Sequence, residues 1–246
     1  ASFFTKVGMV GIVGDDFLEE YRKIYKSFGI DLEGLQQVSG KTFRWSGVYH
    51  KDMINRDTLN TELNVFESFS PDLPKIYQSA PYLLLGNIQP ELQLRVLGQC
   101  QDPQFIIADT MDLWIESSRA SLLEVISRVH MLTLNDSEAR LLTGRNNLKK
   151  AATEILKLGP KYVVIKKGEH GAMLVSLDEE LLLVPAYPVD EVIDPTGAGD
   201  AFAGAFMGAL AKTGNVDISV IRDSLVFGSV VASFSVEAFS LDSLIP

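Results

Sequence analysis

Asp194-Pro195-Thr196-Gly197-Ala198-Gly199-Asp200 runs directly into Ala201-Phe202-Ala203-Gly204-Ala205-Phe206-Met207-Gly208-Ala209-Leu210. The first seven residues cannot be regular helix, because Pro195 and two glycines two apart break it. The next ten read as a helix with a small stripe (Ala201, Gly204, Ala205, Gly208) suited to close packing and a bulky stripe (Phe202, Phe206, Leu210). A glycine turn thus delivers free backbone N–H groups at a helix N-terminus, where the dipole also favours negative charge. Without side chains, the glycines let an anion approach the backbone closely.

Working outward, the rest of the chain supplies an α/β frame for this turn. Lys6–Val13 is a short β-branched run, and Phe17, Leu18, Tyr21, Ile24, Tyr25 and Phe28 then recur at helical spacing until Gly29. Tyr82–Leu85 precedes a helix from Pro90, and Phe105–Ala108 precedes one near Leu113–Val129. Leu132–Leu134 leads into a helix at Ser137–Leu142. A helix from Leu148 to Leu156 is closed by Gly159-Pro160 and followed by the strand Tyr162–Ile165. Apolar strands alternating with helices predict a parallel sheet covered on both faces. One segment breaks the rhythm: over residues 35–69, Lys41–His50 alternates Phe43, Trp45, Gly47 and Tyr49 with polar neighbours, and Thr58–Phe66 is a second strand candidate. This predicts a small inserted β-flap, which alone could not bury its aromatics and should close over a ligand or pair with another chain.

Composition narrows the partners. At 246 residues, 46% hydrophobic and 22% charged, the chain suits one large α/β core. A net charge of −10 argues against a general nucleic-acid binder, which needs a basic stripe. It also means that an anionic ligand must be held by local groups. No uninterrupted apolar run reaches the roughly 18 residues of a membrane span, and the longest, around Leu225–Phe234, reads as a buried helix. No signal peptide is visible, and the single cysteine, Cys100, makes no internal disulfide or zinc site. A reducing, cytoplasmic setting is expected.

Asp200, in the first turn of the helix, has two readings: a favourable N-terminal acid, or a carboxylate that accepts a hydroxyl proton while neighbouring amides hold a phosphoryl group. Asn135-x-x-Glu138 likewise reads as a capping box on physical grounds. Lys166, Lys167 and Gly168 end a strand and Gly171 opens the next, an ordinary turn by the same measure. Asn87 and Asp109, at or just past strand C-termini, are candidates to face a pocket. Gly34–Thr42 carries one residue too many for a P-loop and runs into an alternating strand. Gly8, Gly11 and Gly14 do not make the dinucleotide fingerprint, and His50, His130 and His170 fit no triad or metal spacing.

The stretch Asp194–Phe206 resembles the C-terminal signature of the ribokinase-like PfkB carbohydrate kinases. The likeness extends through Gly11–Asp16, the Asn135–Gly144 helix start and Lys167–Gly171, with the flap where the family carries its lid. The resemblance implies a Rossmann-like three-layer α/β/α core over residues 1–246 with a β lid at 35–69, ATP as donor, Mg²⁺, and transfer to a sugar or nucleoside hydroxyl. It implies Asp200 as base and Gly197, Ala198 and Gly199 as anion hole. Asn135 and Glu138 would organise Mg²⁺ through water, and Lys166, Lys167, Gly168, Gly171, Thr196 and Ser229 would lie on the nucleotide side. Asp194 with Thr196 resembles part of a monovalent-cation (K⁺) loop. In some members two lids pack together, so a homodimer through the flap is expected. A non-catalytic sensor of the same fold is the alternative of a different class, disfavoured by the intact glycine turn. Family members begin with a strand bearing a substrate-binding aspartate and a Gly-Gly-x-x-x-Asn segment. Neither occurs here, so an N-terminal stretch carrying most acceptor contacts is expected to lie outside this sequence.

Overall fold

The computed structural model describes residues 1–53 and 56–245. The opening unit is β1 (Val7–Val13), α1 (Glu19–Ser27) and β2 (Ile30–Gln37), with the two strands parallel. A hairpin follows, β3 (Arg44–Tyr49) against β4 (Arg56–Glu62), antiparallel and forming a sheet of its own. After a 3-10 turn (Asn64–Ser68) and α2 (Lys75–Gln78), strands and helices alternate. The order is β5 (Tyr82–Leu85), α3 (Pro90–Leu97), β6 (Phe105–Asp109), α4 (Asp112–Ser117), α5 (Arg119–Arg128), β7 (Met131–Asn135), α6 (Asp136–Thr143), α7 (Leu148–Leu156) and β8 (Tyr162–Lys166). The chain closes with β9 (Ala172–Ser176), β10 (Leu181–Val184), α8 (Ala198–Thr213) and α9 (Ile218–Val236).

The central sheet has the order β10-β9-β8-β7-β6-β5. Strands β5 to β8 are parallel, as their crossover helices require, but β9 pairs antiparallel to β8 and β10 antiparallel to β9. The expected all-parallel sheet is therefore mixed. The reason is the short Lys167–Gly171 connection, since a parallel neighbour needs a crossover of a dozen residues or more. At Gly171 (φ +77) a Cβ would lie 2.0 Å from the Val184 carbonyl oxygen, so only glycine lets this turn fold against the end of β10.

Strand alternation sorts the core into two layers. Ile106, Ala108, Leu132, Leu134, Val163 and Ile165 pack with α3, α5, α6 and α7. Phe105, Ile107, Met131, Val164 and Leu174 face the other way, onto Phe202, Phe206 and Leu210 of α8 and Ile221 and Leu225 of α9. The result is the three-layer α/β/α arrangement. Helix α9 differs from the buried helix expected: Ile221, Leu225 and Gly228 are buried, while Val226, Phe227 and Phe234 are exposed. Among the described residues it is also the one helix long and apolar enough to cross a membrane, at 19 residues and a mean hydropathy of 1.4. Its inner face instead lies on α8, where a Cβ at Gly228 would come within 3.1 Å of the Phe202 ring.

The flap is narrower than residues 35–69, because its first residues belong to β2; residues 54 and 55 lie outside the described residues. Its base is tied to the core by Asp16, whose carboxylate accepts the Thr42 N–H and hydroxyl, each at 2.7 Å, and Arg44 at 2.9 Å. Those bonds, from Thr42 first, hold the Asp16 carboxyl down to about 2.

Candidate active site

The C-terminal ends of β6, β7 and β8 lie side by side, the place where an open α/β sheet presents its crevice. Each end delivers one polar residue: Asp109 from β6, Asn135 from β7 and Lys166 from β8. Lys166 reaches across β7 to place its Nζ 3.1 and 2.9 Å from the two carboxylate oxygens of Asp109. The pair is largely enclosed, with side chains 19% and 7% exposed. Asp109 Oδ1 also accepts the Thr110 N–H at 3.0 Å.

Beneath the lysine, α6 starts with both halves of a capping box. Asn135 Oδ1 accepts the Glu138 N–H at 2.8 Å, and Glu138 Oε2 accepts the Asn135 N–H at 2.7 Å. Glu138 is buried at 9% exposure, and desolvation pushes its carboxyl up to about 7 despite the Asn135 hydrogen bond and the Lys166 charge.

The glycine turn meets this cluster from α8. Gly197 is the N-cap, left-handed at φ 82, and no side chain caps the helix. Ala198 N–H donates to the Pro195 carbonyl at 3.2 Å and Ala201 N–H to that of Gly197 at 2.8 Å. The N–H groups of Gly197, Gly199 and Asp200 have no acceptor among the described residues. A Cβ built on Gly199 would stand 3.0 Å from Lys166 Nζ, so the ammonium lies close beside the bare glycine. Desolvation and the Asp109 charge raise the Asp200 carboxyl above its ordinary value, with Lys166 opposing. Asp200 keeps an open face to solvent, which softens both effects. For Lys166, burial works to lower the pKa, and the charges of Asp109, Glu138 and Asp200 overcome it, so the ammonium is held above its ordinary value.

The other sequence candidates lie around this centre. Asp194 Oδ1 accepts the Thr196 N–H at 2.9 Å and Oδ2 the Ser240 N–H at 3.3 Å. Burial opposes those bonds, but they hold the Asp194 carboxyl below its usual value. Ser229 Oγ donates to the Pro185 carbonyl at 3.0 Å. Lys167 N–H closes the β8–β9 turn on the Gly171 carbonyl at 2.8 Å, and Gly168 takes φ +53 with open space around it. Asn87, just past β5, is exposed, and its Oδ1 accepts the Trp114 indole N–H at 2.9 Å. One link escaped the sequence reading: Thr196 Oγ1 lies 3.2 Å from the hydroxyl of Tyr49 on the hairpin. The alternation that places Tyr49 on the Trp45 face was visible, but not what that face meets.

The geometry has counterparts. Residues 1–246 match the model of the pfkB family carbohydrate kinases. The chain is 32% identical over 214 residues to a cytidine kinase of Thermococcus kodakarensis, covering 85% of this chain and 75% of that protein. It superposes on the crystal structure of a Thermotoga maritima ribokinase with a TM-score of 0.77 at 27% identity, covering 97% and 77% of the two chains. It shares its fold with an Arabidopsis thaliana ribokinase complexed with ribose and ATP, at a TM-score of 0.77 and 22% identity over 96% and 78%. With its sheet, its glycine turn and the match along all 246 residues in agreement, this chain belongs to the pfkB carbohydrate kinases, phosphotransferases that use ATP to phosphorylate a sugar or nucleoside hydroxyl.

Proposed function

We propose that Asp200 is the general base of this kinase and that its acceptor is a ribose unit, free or carried in a nucleoside. The observation that carries the reading is the α8 N-terminus: three unpartnered N–H groups, a left-handed glycine and a raised carboxyl within one turn. The acceptor hydroxyl passes its proton to the Asp200 carboxylate as its oxygen bonds to the γ-phosphorus of ATP. The bond from that phosphorus to the β,γ-bridging oxygen breaks, and its electron pair leaves with ADP. The N–H groups of Gly197, Gly199 and Asp200 hold the phosphoryl oxygens; that of Ala198, expected among them from the sequence, is instead turned to the Pro195 carbonyl. A carboxyl raised above its ordinary value is a stronger base than an ordinary aspartate while it remains ionised.

Asn135, Lys166, Lys167, Gly168, Gly171, Thr196 and Ser229 surround the nucleotide in this reading, and Asn87 faces the acceptor. When bound, Mg²⁺ would arrive with the nucleotide and supply positive charge against its phosphates. The residues here suit an ion that keeps several waters, with Asn135 and Glu138 meeting it through water, more than an all-protein cage. Asp194 and Thr196 are where K⁺ would sit. Both Asp194 oxygens already accept backbone N–H groups, and no step is assigned to that ion. Dependence on ATP and the lone cysteine support a cytoplasmic protein, and the acidic charge supports a small-molecule partner over nucleic acid. The hairpin is assigned as a lid and as the interface of a homodimer.

The acceptor reading rests on similarity to both a cytidine kinase and a ribokinase. ATP consumption by the full-length protein with pentoses, hexoses and nucleosides tests it: turnover is expected with ribose or a ribonucleoside, and preference for a hexose would overturn it. Asp200→Asn keeps the shape but cannot take the proton. It is expected to lose about 10²–10⁴-fold or more in kcat while still binding ATP. Turnover within a few-fold of wild type would remove Asp200 as base.

A further inference from the structure

The Lys166–Asp109 pair has a property that stability does not explain. Burying two charges costs several kcal/mol each, and a buried ion pair is often no better than an apolar pair of the same size. Strand β7 separates the two residues, so the lysine side chain lies over the β7 end instead of pointing out to water. Both Asp109 oxygens are occupied by the ammonium, and Oδ1 also by the Thr110 N–H. Gln93 Nε2 fixes the backbone beneath by donating to the Asp109 carbonyl at 3.1 Å and the Gly86 carbonyl at 2.8 Å. The aspartate is therefore built into the sheet end and committed to the lysine, with little left for an acceptor.

The lysine, by contrast, is aimed. Its Nζ lies close beside Gly199, whose own N–H has no acceptor among the described residues and where a built Cβ would stand 3.0 Å from the ammonium. Asp109, Glu138 and Asp200 all act on it electrostatically. An incoming triphosphate meets three carboxylates here and the ammonium of Lys166, which is bonded to Asp109 and acts on Glu138 and Asp200 through its charge. We propose that Lys166 is the side-chain cation that contacts the transferred phosphoryl group, and that Asp109 is its positioning residue, holding the ammonium over Gly199. The proposal rests on the reading of the glycine turn as the phosphoryl site. It moves Asp109 from contact with the acceptor to control of the lysine.

Steady-state kinetics on Lys166→Met, Asp109→Asn and the double variant test this, with folding checked by circular dichroism. Lys166→Met is expected to lower kcat by about 10²-fold or more, as loss of one transition-state donor does. The acceptor KM should stay within roughly three-fold of wild type. It should also lose most of the preference for a non-hydrolysable ATP analogue over ADP, measured by calorimetry; a merely structural lysine would not move that ratio. Asp109→Asn should lower kcat with little change in acceptor KM. Because both residues act through one cation, the double variant should be no slower than Lys166→Met alone. Lys166→Met leaves a buried carboxylate unpaired and can fail to fold, whereas the double variant removes both charges and decides the matter in that case. The proposal is overturned if the double variant folds and keeps kcat within roughly three-fold of wild type. It is equally overturned if Asp109→Asn raises the acceptor KM ten-fold or more with kcat preserved, on the order of a lost substrate contact. Asp200→Asn run in parallel separates the two levels: if it is inactive while the lysine variants are not, only this inference falls.

Discussion

Glu138 accepts one backbone N–H, from Asn135 at 2.7 Å, while burial lifts its carboxyl from 4.5 to about 7. A carboxyl raised in the fold favours its protonated form there. Its contribution is therefore full below pH 4.5 and is lost as pH rises through about 7. Glu138→Gln cannot ionise, yet its amide oxygen can still accept the Asn135 N–H. Urea unfolding should show the variant gaining on wild type between pH 5 and 8 by up to about 3 kcal/mol, and a gap that does not widen with pH would contradict the account. If the same carboxylate faces the nucleotide's metal, the variant should also need more Mg²⁺ for half-maximal activity. Unchanged metal dependence would leave Glu138 as a cap alone, of a kind that contributes about 0.5–2 kcal/mol. Asn-x-x-Glu was legible as a cap because capping is local. The high pKa was not, because it comes first from burial in the folded chain and then from the Asp109 and Asp112 charges, opposed by Lys166, all distant in sequence.

The same division between local and distant runs through the elements. The start of α8 was readable because proline and glycine set backbone torsions by themselves, and Gly197 at φ 82 with an uncapped helix behind it is the outcome. Strands β5 to β8 were readable from short apolar runs before helical spacing. The antiparallel turn into β9 was missed although Gly168 and Gly171 were in view; the brevity of the connection was the usable signal. Strand β2 was missed because IDLEGLQQ is mostly polar and is a strand only by pairing with β1. The split between α4 and α5 at Ser118 left no mark in the apolar spacing. The turn's conformation carries its own prediction. A Cβ at Gly197 meets nothing within 4 Å, so Gly197→Val strains the backbone more than it clashes. It should cost about 1–3 kcal/mol in denaturant unfolding and erase the preference for ATP over AMP in calorimetric binding. Equal affinity of the wild-type protein for ATP and AMP would count against an anion site at this turn.

For the molecule as a whole, the open question of assembly turns on the β3–β4 hairpin. Two strands alone are marginal in water, and among the described residues no α-helix packs extensively on this pair. Every residue of β4 is exposed, Leu59 at 67% and Val48 on β3 at 52%, while both outer edges are unpaired within the hairpin's own sheet. Its inner face is partly satisfied within the chain. Trp45 lies under Arg56 and bonds Thr58, and Tyr49 reaches Thr196 beside the glycine turn. These contacts fit a lid that closes over the site from its own chain, and they leave the outer face and edges to a second copy. Sedimentation at micromolar concentration should therefore show a dimer, and a single species near 27.1 kDa that substrate does not change would refute it. Leu59→Glu, at the most exposed apolar position among the described residues of the hairpin, should return the protein to monomer with its helix content intact. If the dimer persists in that variant, the interface lies elsewhere. Tyr49→Phe would then remain the test of the lid alone, since it removes the Thr196 bond without touching the outer face or the nucleotide side, and activity equal to wild type would leave the hairpin without a closing role.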